Sequence, residues 1–203
     1  MSHIRRGALP TAFLLLLLGA GCPPVAFDGL DSNRDGALGA DDLESGAAAA
    51  YIDLGPEGSG VDTEAGDDDD DAAEDTATGW QITEATLYPA FSEGDWYFQG
   101  VLEGESTNYA LSIRFENEDP LAVGSGDVVG GSFNAEDNSV YAYGGETPGG
   151  TMEITEASDT VASGALTSPV RFEIIENDSF TGRVVVIEGF AFRDVEIGEA
   201  LTD

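Results

Sequence analysis

The sequence predicts a mainly β protein whose folded domain, residues 80–203, is an antiparallel β-sandwich or barrel. Apolar and polar side chains alternate through Tyr109–Glu116, which is the period of a half-buried strand. Similar runs recur from Trp80 onward, and turn-forming residues separate them about every 8 to 12 residues, as in sandwiches and barrels. No stretch after Gly79 carries apolar residues at helical spacing, so we expect strands throughout this domain.

The strands of this domain are predicted from runs that are apolar or alternate. These runs are 80–88, 96–102, 109–116, 128–133, 140–143, 151–155, 161–166, 170–175 and 183–197. Gly189 in the last run favours a bulge or bend, because glycine has no side chain to pack in a strand. The side chains expected to face the core are Trp96, Phe98, Leu111, Ile113, Phe115, Ile154, Phe172, Ile174, Val184, Val186, Phe190 and Phe192.

The first 21 residues have the three parts of a secretory signal peptide. Arg5 and Arg6 give a positive start, an apolar run follows over residues 9–18, and small residues occupy positions 19–21. The apolar run is shorter than the roughly 20 residues that a membrane-spanning helix needs. We therefore expect residues 1–21 to be an export signal and the mature chain to begin at Cys22.

Residues 18–22, Leu-Gly-Ala-Gly-Cys, resemble the lipobox of bacterial lipoproteins. The resemblance implies that Cys22 is lipidated and anchors the chain to a membrane of the cell envelope. Pro23 after the cysteine favours the outer membrane or the cell surface by the same analogy. The alternative is an ordinary signal peptide followed by an unmodified cysteine.

The composition excludes several classes of function. The formal charge is −33, which would repel nucleic acid phosphates and anionic lipid headgroups but attract divalent cations. The basic residues are all arginine, the one histidine is His3 in the signal, and the one cysteine is Cys22. The mature chain therefore lacks the residues of a Ser-His-Asp triad, of a zinc site built from His and Cys, and of a Schiff-base lysine.

The segment 31–42, Asp-Ser-Asn-Arg-Asp-Gly-Ala-Leu-Gly-Ala-Asp-Asp, resembles the calcium loop of an EF-hand. The ligands that the resemblance implies are Asp31, Asn33, Asp35, the backbone carbonyl of Ala37, and Asp42. The last ligand position carries an aspartate in place of the longer glutamate, so we expect weak calcium binding, with magnesium as an alternative. A solvated turn without any metal is the other interpretation, since Asp, Asn and Gly favour turns.

The chain between this loop and the β domain is predicted in two parts. Apolar residues at helical spacing predict a helix over residues 40–52, which completes a loop-helix unit within 22–54. Residues 55–79 are rich in Gly, Asp, Glu, Ala, Ser and Thr, with five successive aspartates at 67–71. Such a segment buries too little apolar surface to order itself, so we expect a disordered acidic linker that acts as a spacer or as a weak cation sponge.

These features predict a non-enzymatic, membrane-anchored envelope lipoprotein that displays a β domain. Residues 150–155, 161–164 and 185–192 resemble uncharacterised β domains of bacterial surface lipoproteins, a likeness that implies no activity. The partner is an unknown protein or glycan, and the aromatic residues considered for it are Trp80, Tyr88, Tyr97, Tyr141 and Tyr143. The alternatives are a secreted hydrolase that uses two carboxylates, as glycosidases do, and a lipoprotein β domain without a metal site.

Overall fold

The computed structural model describes residues 30–33, 36–55, 60–62, 77–90, 94–104, 107–118, 120–137, 140–145 and 148–199. These residues form one eleven-stranded sheet that is almost wholly antiparallel, which confirms the mainly β fold class. The one helical element among them is a 3₁₀ turn at Ala40–Asp42. No helix in the described part of the chain has the length and apolar character needed to span a membrane.

The strands are numbered in chain order. They are β1 Ala48–Asp53, β2 Val61–Asp62, β3 Thr78–Pro89, β4 Asp95–Leu102, β5 Tyr109–Glu116, β6 Gly124–Ala135, β7 Tyr141–Gly144, β8 Thr151–Ala157, β9 Val161–Ser168, β10 Val170–Glu176 and β11 Ser179–Ile197. Strands β3 to β11 correspond to the nine runs that the sequence predicted, whereas β1 and β2 were not predicted.

The sheet closes on itself through its longest strand. The hydrogen-bonded path runs β1-β3-β4-β5-β6-β7-β10-β11, and β11 then pairs with β1. Strand β6 pairs with β8 through residues 124–127 and with β7 through residues 131–134, and β9 connects β8 to β11. Closure of this kind leaves few unpaired edges in a sheet.

A bulge in β11 decides which of its side chains face the core. The register with β1 shifts by one residue between Gly189 and Ile187, next to the glycine where the sequence predicted a bulge. Phe190 and Phe192 face the interior as expected. Before the bulge, however, it is Val185 and Ile187 that join the main core, not Val184 and Val186. An extra residue reverses the alternation of a strand, so the prediction for Val184 and Val186 was wrong, although both are buried.

The main core lies inside the closed sheet. The other ten residues of the predicted inward set are all buried in it. Phe98 packs edge-on against Phe190, with ring centroids 4.6 Å apart, and is tilted against Phe192 at 5.6 Å. The interior is therefore filled by side chains.

The helix predicted over residues 40–52 is wrong. Ala48–Asp53 is strand β1, which pairs with both β3 and β11. Alanine suits either structure, and the run Ala48, Ala50, Ile52 also has the two-residue period of a strand, with all three side chains in the main core. The two neighbouring strands supply backbone partners on both sides, and this tertiary pairing overrides the local helical propensity of the alanines.

The acidic segment joins two neighbouring strands of the same sheet. Tyr51 pairs with Gly79 and Ile52 with Thr78, so the chain leaves β1 and returns beside it. Residues 55–79 therefore connect two paired strands of one sheet, and the described part of the sheet begins at Ala48. The predicted disorder of this segment falls mostly on 56–59 and 63–76, which lie outside the described residues. Val61–Asp62 pairs with β11, while residues 63–76 lie outside the described part of the chain.

Candidate functional site

The EF-hand-like loop packs against the outside of the sheet. A second apolar cluster lies on the outer face of β1 and β11, opposite the main core. Its buried members are Leu38, Leu43, Ala49, Tyr51 and Ala191, with Leu30, Ala47 and Ala165 packed around them. We call this set the outer cluster. It exists because β1 carries apolar residues on both faces, so its outer face must be covered, and residues 30–43 cover it.

Arg193 fastens the end of this loop to β11. Its guanidinium Nη1 donates a hydrogen bond to the carbonyl of Leu43 at 2.9 Å. The backbone of Arg193 exchanges two further bonds with the loop, donating to the carbonyl of Ala47 and accepting from the N–H of Gly46, both at 2.8 Å. The path of the chain from the loop into β1 is thus fixed by one residue that is distant in sequence.

The carboxylate of Asp42 accepts hydrogen bonds from several residues of the loop. Its Oδ1 accepts hydrogen bonds from the hydroxyl of Ser32 and the N–H of Asn33, both at 3.0 Å, and its Oδ2 accepts from the N–H of Gly39 at 2.9 Å. Partial burial by itself raises the pKa of Asp42, but the bonds from Gly39, Asn33 and Ser32 outweigh it and lower that pKa. The ionised carboxylate therefore holds the two ends of the loop together.

Asp31, Asn33 and Ala37 are the other predicted ligands among the described residues. Asp31 Oδ2 accepts from the N–H of Gly36 at 2.9 Å, and Ala37 is exposed. The side-chain amide of Asn33 donates to Asp41 Oδ2 at 3.1 Å. Asp31, Asn33, Ala37 and Asp42 lie in the described part of the loop, and their role as metal ligands stays a prediction.

Two residues named from the sequence cannot be placed in this loop. Asp35 and Cys22 lie outside the described residues. Among the described residues no three His, Cys, Asp or Glu side chains converge on one point.

Hydrogen bonds within the loop leave the Asp42 carboxylate with few lone pairs free to bind a cation. A carboxylate offers about four lone-pair positions, and hydrogen bonds from Ser32, Asn33 and Gly39 occupy most of those on Asp42. A cation at this loop would share the carboxylate with backbone donors, which favours weak binding over tight binding. Weak calcium binding was also expected from the short side chain at the last ligand position. It stays a prediction.

Tyr51 connects the first ligand of the loop to strand β1. Its side chain is buried in the outer cluster. Burial raises the pKa of the Tyr51 hydroxyl, and the negative charges of Asp31 and Asp42 raise it further. The position of Asp31 is therefore coupled to the sheet through a residue that sequence reasoning had assigned to a helix.

Sequence reasoning also missed Arg193. The chain has seven basic residues against forty acidic ones. The small number of basic residues was the one signal in the sequence that could have indicated a structural role for Arg193, because a rare basic residue in such an acidic chain often has a specific partner. Nothing in the sequence, however, identified the carbonyl of Leu43 as that partner.

An acidic cavity of about 540 Å³ opens beside β4, β5 and β6. Asp95 and Glu116 line it and are directly opposite each other on β4 and β5. Asp95 is ion-paired with Arg114, and Glu116 is exposed. The acid of a two-carboxylate hydrolase is usually desolvated, so this pair adds no support to that alternative, which stays a prediction.

The aromatic residues considered for a partner fall into two groups. Trp80 is half-buried against the main core, where its ring meets that of Tyr109 edge-on at 5.5 Å. Tyr88 and Tyr97 form a cross-strand pair between β3 and β4. Tyr141 and Tyr143 project from β7 and are 42% and 43% exposed.

Comparison with known proteins adds no functional information. No protein-family model, no curated protein and no solved structure matches this chain.

Proposed function

We propose that the protein is a non-enzymatic lipoprotein of a bacterial cell envelope, anchored through lipidated Cys22 at the outer membrane or cell surface. It displays the β domain and binds calcium weakly at the loop of Asp31, Asn33, Asp35, Ala37 and Asp42, with magnesium as the alternative ion. The partner of the displayed domain is a protein or a glycan. The acidic charge of −33 argues against nucleic acid as a partner.

The observation that carries the proposal is the packing of residues 30–43 on the sheet. Leu30 belongs to the outer cluster, and seven residues separate it from Cys22. Seven extended residues span at most about 25 Å. An anchored Cys22 would therefore hold the closed sheet near the lipid surface, with the candidate calcium loop between them.

The anchor is tested by mass spectrometry of the N-terminal peptide from native membranes. We expect a chain that begins at Cys22 and carries a diacylglyceryl group and an acyl chain. Cys22→Ser should move the protein to the soluble fraction, because several acyl chains are needed for stable anchoring. An unmodified thiol at Cys22, or retained residues ahead of it, would refute the anchor.

The calcium site is tested by thermal unfolding of the full mature chain at constant ionic strength. A ligand at ten times its Kd adds about 1.4 kcal/mol of stability, so millimolar calcium should raise the unfolding temperature. Asp42→Asn should abolish this rise, whereas Asp41→Asn, which removes an equal charge next to it, should retain it. Equal responses of the two variants would assign the effect to general screening and overturn the site.

A further inference from the structure

The outer face of the sheet carries a groove in which uncharged polar residues lie side by side on three neighbouring strands. Gln99 on β4 is paired with Ser112 on β5, which is paired with Ser132 on β6. The hydroxyl oxygens of Ser112 and Ser132 are 3.1 Å apart. Because the side chains of Ser112, Ser132 and Ala110 are short, they leave a cavity of about 400 Å³, which Gln99 and Val101 also line.

Tyrosines stand at both sides of this groove. Tyr88 on β3 lines one side. On the other side Tyr143 is directly opposite Ser132, and Tyr141 is directly opposite Asn134, on the neighbouring strand β7. Directly paired residues share a face of the sheet. From β3 to β7 there are four strand spacings of about 4.8 Å, so the groove suits a ligand of several rings.

The groove differs in charge from the rest of this acidic chain. Glu84 is the one charged residue that lines it. The other polar lining groups are neutral, and serine hydroxyls and glutamine amides both donate and accept hydrogen bonds. A neutral ligand with many hydroxyls matches this set. An anionic ligand would be repelled by a net charge of −33.

Asn134 adds an acceptor beside the groove. Its side-chain Oδ1 is buried and has no hydrogen-bond partner among the described residues. Asn134 lies between Ala110 and Tyr141 in the register of the sheet. An unmet buried acceptor is unfavourable, and a hydroxyl donor of a ligand would satisfy it after a side-chain shift that exposes this oxygen.

We propose that this groove binds a neutral oligosaccharide, with sugar hydroxyls on Gln99, Ser112 and Ser132 and sugar rings packed against Tyr88 and Tyr143. A sugar ring combines an apolar C–H face with polar edges, which fits aromatic walls and a hydroxyl-lined floor. The inference rests on the glycan partner named in the proposed function and specifies its class, whereas its test depends neither on the lipid anchor nor on calcium.

The test is calorimetric titration of the mature chain with neutral hexasaccharides of glucose, N-acetylglucosamine, xylose, mannose and galactose, each at millimolar concentration. We expect at least one to bind. Tyr143→Ala should weaken that binding about tenfold, the upper range for one aromatic contact. Ala110→Trp should abolish it by filling the groove. Both positions are exposed, so both variants should unfold at the wild-type temperature.

The matched control is Phe180→Ala, which removes an aromatic side chain that is 61% exposed and lies outside the groove. This variant should bind like the wild type. The proposal is overturned if no hexasaccharide binds, if Ala110→Trp leaves binding unchanged, or if Phe180→Ala weakens it as much as Tyr143→Ala. Stronger binding of a uronic-acid hexasaccharide or of an oligolysine peptide would likewise overturn it.

Discussion

At the scale of single residues, Asp42 determines whether the N-terminal loop keeps its form. Its two oxygens accept from Ser32, Asn33 and Gly39, and an asparagine can replace only one of these oxygens as an acceptor. We expect Asp42→Asn to weaken the docked loop by about 1 to 2 kcal/mol. Hydrogen exchange at the amide of Gly39 should accelerate by roughly 5- to 30-fold, while the amides of β5 keep their protection.

The same residue gives the loop a dependence on pH. The pKa of Asp42 is lowered in the folded state. Its contribution is therefore fully present above the ordinary aspartate pKa of about 3.9 and is lost as the pH falls through the lower folded value. The difference in protection between wild type and Asp42→Asn should shrink below about pH 4. A difference that stays constant down to pH 2 would contradict this role for the carboxylate.

At the scale of elements, bulges and close strand approaches fix which faces meet. Gly131 on β6 has φ of +145°, and a Cβ there would lie 2.3 Å from the carbonyl oxygen of Ser112 and 2.9 Å from the ring of Phe172. We expect Gly131→Ala to lower the free energy of unfolding by about 1 to 3 kcal/mol in urea titrations, because both neighbours must shift. Gly145→Ala is the control, since its Cβ would meet nothing within 4 Å. Equal stabilities of the two variants would contradict the packing of β5 on β6.

At the scale of the whole molecule, β11 closes the sheet and carries the aromatic centre of the core. Phe192 is fully buried and packs against Phe98 and Phe190. Phe192→Ala should cost about 3 to 5 kcal/mol of unfolding free energy through lost burial and a residual cavity. Phe192→Leu should lower the free energy of unfolding by less. It serves as the test if Phe192→Ala does not fold. Phe180→Ala, on the exposed end of the same strand, should change stability by less than about 0.5 kcal/mol.

The sheet and most of its core followed from local pattern. The alternation in Tyr109–Glu116 and the apolar runs after Trp80 predicted nine strands, because a half-buried strand imposes a two-residue period on the sequence. The prediction was wrong at Val184 and Val186, because the bulge in β11 inverts the period without changing composition. In the loop, the sequence did not predict that Asp42 accepts hydrogen bonds from backbone N–H groups, and the set of calcium ligands stays a prediction.

The sequence by itself determined the mainly β fold class, the acidity, and the scarcity of histidine and cysteine, since these depend on composition and on contacts between near neighbours. Only the tertiary structure decided that Ala48–Asp53 is a strand, that residues 55–79 return to the strand next to the one they leave, and that Leu38 and Arg193 fasten the loop to the sheet. These features depend on pairing between residues that are distant in sequence, from 28 positions for Tyr51 with Gly79 to 144 for Ala48 with Phe192, and no local pattern encodes such a pairing.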